Sequence, residues 1–227
     1  MRVIGVDRPG MGLSTFQRGR TLLDWPDDVL QLMDGLGIER FSVLGGSAGG
    51  AYALACARVI ERGRLRGVGV VSGYAPPGSG LGGLSPKERF LLGNPSVMRA
   101  VMYWRVGRFV HSRNDKVWRD MAREMGYEGN DIAGVLESLR EPFKQGVNGY
   151  VHDGVLINKE WGFELEEVKG KVRLWYGDED ENTPIEMGKW MEERLSGGSL
   201  KTFEGEDHFS LLTKRGERIL KELVSDG

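Results

Sequence analysis

The chain has 227 residues, with 31 Lys and Arg against 33 Asp and Glu and a net charge of −2. That balance, with charges scattered as on an ordinary solvated surface, gives no electrostatic reason to expect nucleic acid or a membrane as partner. One cysteine excludes an internal disulfide. No stretch approaches the about 18 apolar residues of a membrane span, and the first residues are too soon charged for a signal peptide. The expectation is a cytoplasmic chain long enough for one α/β core.

Residues 3–6, Val3-Ile4-Gly5-Val6, read as a short apolar strand, closed by the turn-rich Asp7-Arg8-Pro9-Gly10-Met11-Gly12. Asp24-Trp25-Pro26-Asp27-Asp28 opens a helix, with a capping Asp, an early Pro and acidic residues in the first turn. Val29, Leu30, Leu32, Met33 and Leu36 form its apolar face, and Gly35 and Gly37 end it. Residues 41–44 are a second strand, 49–60 a second helix and 68–71 a third strand. The order β-α-β-α-β with short connections implies a mostly parallel sheet with helices on both faces.

The alternation then breaks. Residues 76–86 are a Pro/Gly/Ser-rich loop, and amphipathic helical segments carrying Met98, Met102, Trp104, Phe109, Trp118 and Met121 follow to about residue 159. The sheet pattern resumes at residues 172–176 and 200–203, and a last helix covers 213–224. Residues 1–76 and 161–227 therefore read as two parts of one body, with 77–160 a helical insertion. The strands on either side of it need each other.

The strand at 41–44 runs into Gly45-Gly46-Ser47-Ala48-Gly49-Gly50 and then a helix of small residues. This is a G-x-S-x-G pattern set between a strand and a helix, the context its chemistry requires. On so sharp a turn, side chains two residues either side of the serine collide, hence Gly45 and Gly49. The helix N-terminus favours negative charge near Ser47. A serine nucleophile needs a base, and the base an orienting carboxylate. Three histidines exist, His111, His152 and His208. His208 follows the last strand and precedes the last helix; His111 lies in the insertion, and His152 in a probable-turn sequence, Tyr150-Val151-His152-Asp153-Gly154, so packing or surface roles suit both better. The loop after 172–176 offers Asp178, Glu179, Asp180 and Glu181 as the carboxylate. Cys56, in an apolar Ala-rich run, reads as a small buried residue.

These motifs resemble the α/β-hydrolase fold family. Gly177-Asp178-Glu179-Asp180-Glu181-Asn182-Thr183-Pro184 is similar to that family's G-x-x-D-x-x-x-P segment, which implies Asp180 as the acid, with Asp178 the fallback. Arg2 to Ser14 resembles the family's "R-V-I-x-x-D-R-P-G-x-G-x-S" strand and loop, and Trp161-Gly162-Phe163 the segment leaving its cap. The resemblance implies a capped serine hydrolase with Ser47, Asp180 and His208 as catalytic residues, Ala48 as an oxyanion N–H donor, no metal or organic cofactor, and a small-molecule substrate that is an ester, amide or related carbonyl. It leaves the oligomeric state open. The cap's Met, Trp and Phe content suggests an apolar pocket wall, although packing accounts for such residues as well. In the family's fold three strands and a helix precede the first strand here, so the expectation is a truncated chain, marginally stable, with an incomplete oxyanion hole. The alternative is a non-catalytic relative that retains the fold.

Overall fold

Apolar residues point both ways along the central strands, so the sheet has to be covered twice. The computed structural model describes residues 1–80, 94–110, 115–128 and 131–225, with backbone alone for 95, 98, 109, 124 and 131. In chain order the elements are α1 (Trp25–Gly35), β1 (Phe41–Gly46), α2 (Gly49–Val59), β2 (Leu65–Val71), α3 (Pro95–Val110), α4 (Asp115–Glu124), α5 (Asp131–Arg140), α6 (Asn148–Ile157), β3 (Val172–Gly177), α7 (Ile185–Arg194), β4 (Gly198–Phe203) and α8 (Ser210–Ser225). They fall into two compact units: Met1–Arg20 with Pro86–Val155, and Thr21–Ser85 with Leu156–Gly227. The sequence pattern put residues 1–76 with the body; the first twenty instead group with the inserted helices.

The second unit is the α/β body. Its four strands are parallel and adjacent in chain order, β1-β2-β3-β4. Val68, Val70, Leu174 and Tyr176 face one way, against Ala51, Leu54 and Ala55 of α2 and Met187 and Met191 of α7. Leu44, Val71, Trp175 and Phe203 face the other, against Leu211, Ile219 and Leu223 of α8. This alternation is what two-sided burial demands of a parallel sheet. Small residues let α2 lie close: a Cβ added at Gly50 would stand 2.9 Å from Val70 Cγ1.

The start of α1 differs from the expected cap. A single 3-10 turn, Leu22–Asp24, precedes it, and the Asp24 carboxylate accepts from the Thr21 N–H (2.6 Å) and hydroxyl (3.0 Å). Asp24 thus fastens the turn before the helix, not the first N–H groups of α1. At the other end Gly37, at φ 66°, adopts the left-handed conformation expected after a helix, and the Ile38 N–H reaches Met33 O at 2.8 Å.

In the first unit, residues 3–6 form no strand, and Val3 and Val6 are 64% and 41% exposed. β propensity is a fit to a neighbouring strand rather than a property of the segment, and residues 3–6 are not among the hydrogen-bonded strands of the described sheet. His152 also departs from expectation: it lies within α6, not in a turn. Gly154, within the stretch read as a turn, and Gly149 have a packing cause. A Cβ at Gly149 would stand 2.2 Å from Gly10 O, and one at Gly154 2.4 Å from Met102 Cε. The loop of residues 8–14 is pinned to the same region. Arg8 and the buried Arg20 both pair with the buried Asp153, at 2.8 and 3.0 Å, and Gln145 Nε2 donates to Gly12 O and Ser14 O. Trp118, Ala122, Ile132 and Leu136 pack α4 on α5, so Trp118 belongs to that helical core, whereas Trp104 is exposed. Of the other residues suggested as a pocket wall, the side chains of Met98 and Phe109 lie outside the described residues, as does His111. Among the described residues no helix is long and apolar enough to cross a membrane.

Candidate active site

The site is assembled at the C-terminal ends of β1, β2 and β3 and at the loop after β4. β1 ends at Gly46, and Ser47 takes φ 50°, a left-handed conformation that costs a non-glycine residue about 1–3 kcal/mol. It persists because both backbone groups are held: the Ser47 N–H donates to Val71 O (2.9 Å), and Ser47 O accepts from the Gly50 N–H (3.0 Å). Gly45 is required by space, since a Cβ there would lie 2.1 Å from Gly49 O. Ala48 follows Ser47 at the N-terminal end of α2.

Two loops meet beside this turn, one after β3 and one after β4, and backbone bonds fasten them together. The Asp178 N–H reaches Phe203 O and the Glu179 N–H reaches Glu206 O, both at 3.2 Å. Gly177 is forced to be glycine, because its Cβ would stand 1.8 Å from Glu206 O. Asp178, the alternative acid, is turned elsewhere: its Oδ1 accepts the Gly205 N–H at 2.8 Å. Glu206 is buried, and its carboxylate pairs with Arg215 (2.8 Å) and Lys214 (3.3 Å) of α8. Asp207 then starts the helix. Its carboxylate accepts the N–H groups of Phe209 and Ser210 at 2.8 and 2.7 Å, while Ser210 Oγ accepts the Asp207 N–H at 2.8 Å. That reciprocal cap starts α8 at Ser210, three residues earlier than the apolar pattern suggested, and fixes His208 inside it.

Ser47, His208 and Asp180 come together. His208 Nε2 is 3.1 Å from Ser47 Oγ, and Nδ1 is 2.8 Å from Asp180 Oδ2. The His208 side chain is 10% exposed and that of Asp180 is fully buried. Burial pushes the Asp180 carboxyl up, but hydrogen bonds from His208 and the Thr183 N–H outweigh it and hold the group below the usual carboxylate range. Asp180 is therefore ionised at neutral pH, which leaves Nδ1 of His208 as the protonated nitrogen and Nε2 facing the serine. His152 is not part of this arrangement; it packs edge-on against Phe16 at 5.7 Å, and burial and Arg20 lower its pKa. Cys56 is buried, which pushes its thiol up to about 12 and keeps it protonated at neutral pH. Among the described residues no group of three or more His, Cys, Asp and Glu could hold a metal ion.

One neighbour was not singled out from sequence. Thr183 is buried, and its hydroxyl lies against Asp180, His208 and the Ser72 carbonyl. Its only signal was its place before Pro184 in the acid loop.

A family model described as the alpha/beta hydrolase family matches residues 1–222. The chain belongs to that family. Solved structures agree on the fold. A hydrolase from Pseudomonas aeruginosa superposes with a TM-score of 0.63 at 18% identity, covering 95% of this chain and 77% of that one. An esterase from Exiguobacterium antarcticum gives 0.67 at 15% identity, covering 94% and 76%. A thermophilic esterase from Thermogutta terrifontis gives 0.64 at 20% identity, covering 94% and 74%. A search among curated proteins returned no match. At these identities the structural likeness to other alpha/beta hydrolases speaks for the fold alone.

Proposed function

We propose that this alpha/beta hydrolase is a serine hydrolase that cleaves a small-molecule ester or related carbonyl through Ser47, His208 and Asp180. The observation that carries the reading is the relay of contacts, 3.1 Å from Ser47 Oγ to His208 Nε2 and 2.8 Å from Nδ1 to the ionised Asp180. In that arrangement His208 Nε2 takes the Ser47 proton as Oγ attacks the carbonyl carbon. Asp180 holds the ring and stabilises the imidazolium. The oxyanion is met by the Ala48 N–H at the positive end of α2. Collapse expels the alcohol, which takes the proton back from Nε2. Water, deprotonated by the same nitrogen, then releases the acid and frees Ser47.

The ester class follows two of the similar structures, which are called esterases. The test is a series of 4-nitrophenyl esters of graded acyl length, assayed with Ser47→Ala in parallel. The reading expects kcat/KM to fall by roughly 10³ or more in the variant. A folded wild-type chain that hydrolyses no member of the series, or a Ser47→Ala variant that retains the rate, would overturn it. The first result favours a non-catalytic relative that keeps the fold.

A further inference from the structure

We infer that Thr183 is a positioning residue for the Asp180–His208 pair, an inference that rests on the reading of Ser47, His208 and Asp180 as the reacting groups. Thr183 Oγ1 lies 2.8 Å from Asp180 Oδ2, 3.0 Å from Ser72 O and 3.2 Å from His208 Nδ1. A hydroxyl has one proton, and two of these neighbours only accept. The carboxylate is both nearer and charged, so it takes the proton in the resting site.

Four donors stand within 2.9 Å of the Asp180 oxygens, and a hydrogen bond from the buried Ser72 hydroxyl favours the ionised carboxylate as well. On Oδ1 they are the N–H groups of Asn182 (2.9 Å) and Thr183 (2.8 Å); on Oδ2 they are His208 Nδ1–H and the Thr183 hydroxyl. A carboxylate offers about four lone-pair sites. All are filled, and Thr183 fills two of them. The carboxylate cannot turn without giving up one of these bonds. That rigidity fixes the oxygen on which His208 is hung.

The third contact gives the hydroxyl a second state. When His208 takes the Ser47 proton, the ring becomes cationic and Nδ1–H a stronger donor. Thr183 Oγ1, already 3.2 Å away, accepts a share of it and turns its own proton to the Ser72 carbonyl. That carbonyl is held ready. Ser72 is buried with φ 46°, its N–H donates to Trp175 O (2.9 Å), and the Tyr176 hydroxyl donates to the next carbonyl, Gly73 O (2.6 Å). The Thr183 hydroxyl thus has an acceptor whether His208 is neutral or charged.

Two substitutions separate this role from packing. Thr183→Val keeps the branched shape and removes the hydroxyl; Thr183→Ser keeps the hydroxyl and removes the methyl group. With 4-nitrophenyl acetate, Thr183→Val is expected to lower kcat about 10-fold, the size a hydrogen bond to a charged group carries, with KM changed by less than about 2-fold. Thr183→Ser is expected to stay within about 3-fold of wild type. The proton resonance of His208 Nδ1–H, identified by its loss in His208→Asn, should move in Thr183→Val and hold in Thr183→Ser; it reads the contact without turnover. If Thr183→Val does not fold, Thr183→Cys supplies the same contrast through a weak donor. Full kcat and an unmoved resonance in Thr183→Val would overturn the inference, as would a Ser variant as impaired as the Val variant. Asp180→Asn distinguishes the two levels. If it abolishes turnover while Thr183→Val is silent, only the positioning role falls; if it too is silent, the reading beneath it falls.

Discussion

Val68-Gly69-Val70-Val71 and Val3-Ile4-Gly5-Val6 are nearly the same peptide in composition, yet one is the centre of the sheet and the other is no strand. The first pairs with β1 on one side and β3 on the other, and Val70 and Val71 are fully buried. The second is not among the hydrogen-bonded strands of the described sheet, and Val3 and Val6 are exposed. An apolar, β-branched run becomes a strand only where neighbours take up its N–H and C=O groups and cover its side chains.

The largest effect expected from this contrast comes from making one substitution in both places. Val70→Ala should destabilise the body by about 2–3 kcal/mol, for the lost burial and the cavity left behind. Val3→Ala should change stability by less than about 0.5 kcal/mol. Denaturant midpoints of the two variants check this, and equal losses would break the comparison, since residues 3–6 would then be packed in solution.

A smaller effect comes from a polar fastening between α8 and the sheet. Glu222 of α8 accepts from Trp175 Nε1 of β3 (3.0 Å), Lys201 of β4 and Arg218. Burial pushes its carboxyl up, but these three partners outweigh that and bring it from 4.5 to about 2. A carboxyl depressed in the folded state contributes stability above its unfolded value and loses it as pH falls through the folded one. Wild-type stability should therefore drop between pH about 4.5 and about 2, and Glu222→Gln should flatten that part of the curve while costing no more than about 1 kcal/mol at neutral pH. Melting curves across that window check it; parallel curves for the two proteins would contradict it.

Sequence carried the site further than it carried the chain's first residues, for a physical reason. Ser47 was legible because a strained turn leaves steric marks on its neighbours, and Gly45 is glycine for the clash it avoids. Gly177 leaves a similar mark at the acid loop. The choice of Asp180 over Asp178 came from a family pattern, since spacing alone left four carboxylates; the structure turns Asp178 to the Gly205 N–H. Residues 3–6 misled because composition reports that a segment could pair, not that a partner lies beside it. His152 misled because a glycine in a helix, there for close approach, looks the same in sequence as one in a turn. Thr183 had only its place before Pro184 to mark it: one buried hydroxyl in an acidic loop has no spacing signature, and its three partners come from separate loops.

An activated Ser47 is the property on which the proposed hydrolysis depends. Incubating the folded chain with a fluorophosphonate and locating the adduct by mass spectrometry measures this without knowledge of the substrate. One adduct is expected, on Ser47, lost in Ser47→Ala and strongly slowed in His208→Ala. A folded chain that takes up no label, or an adduct on another residue, would contradict it.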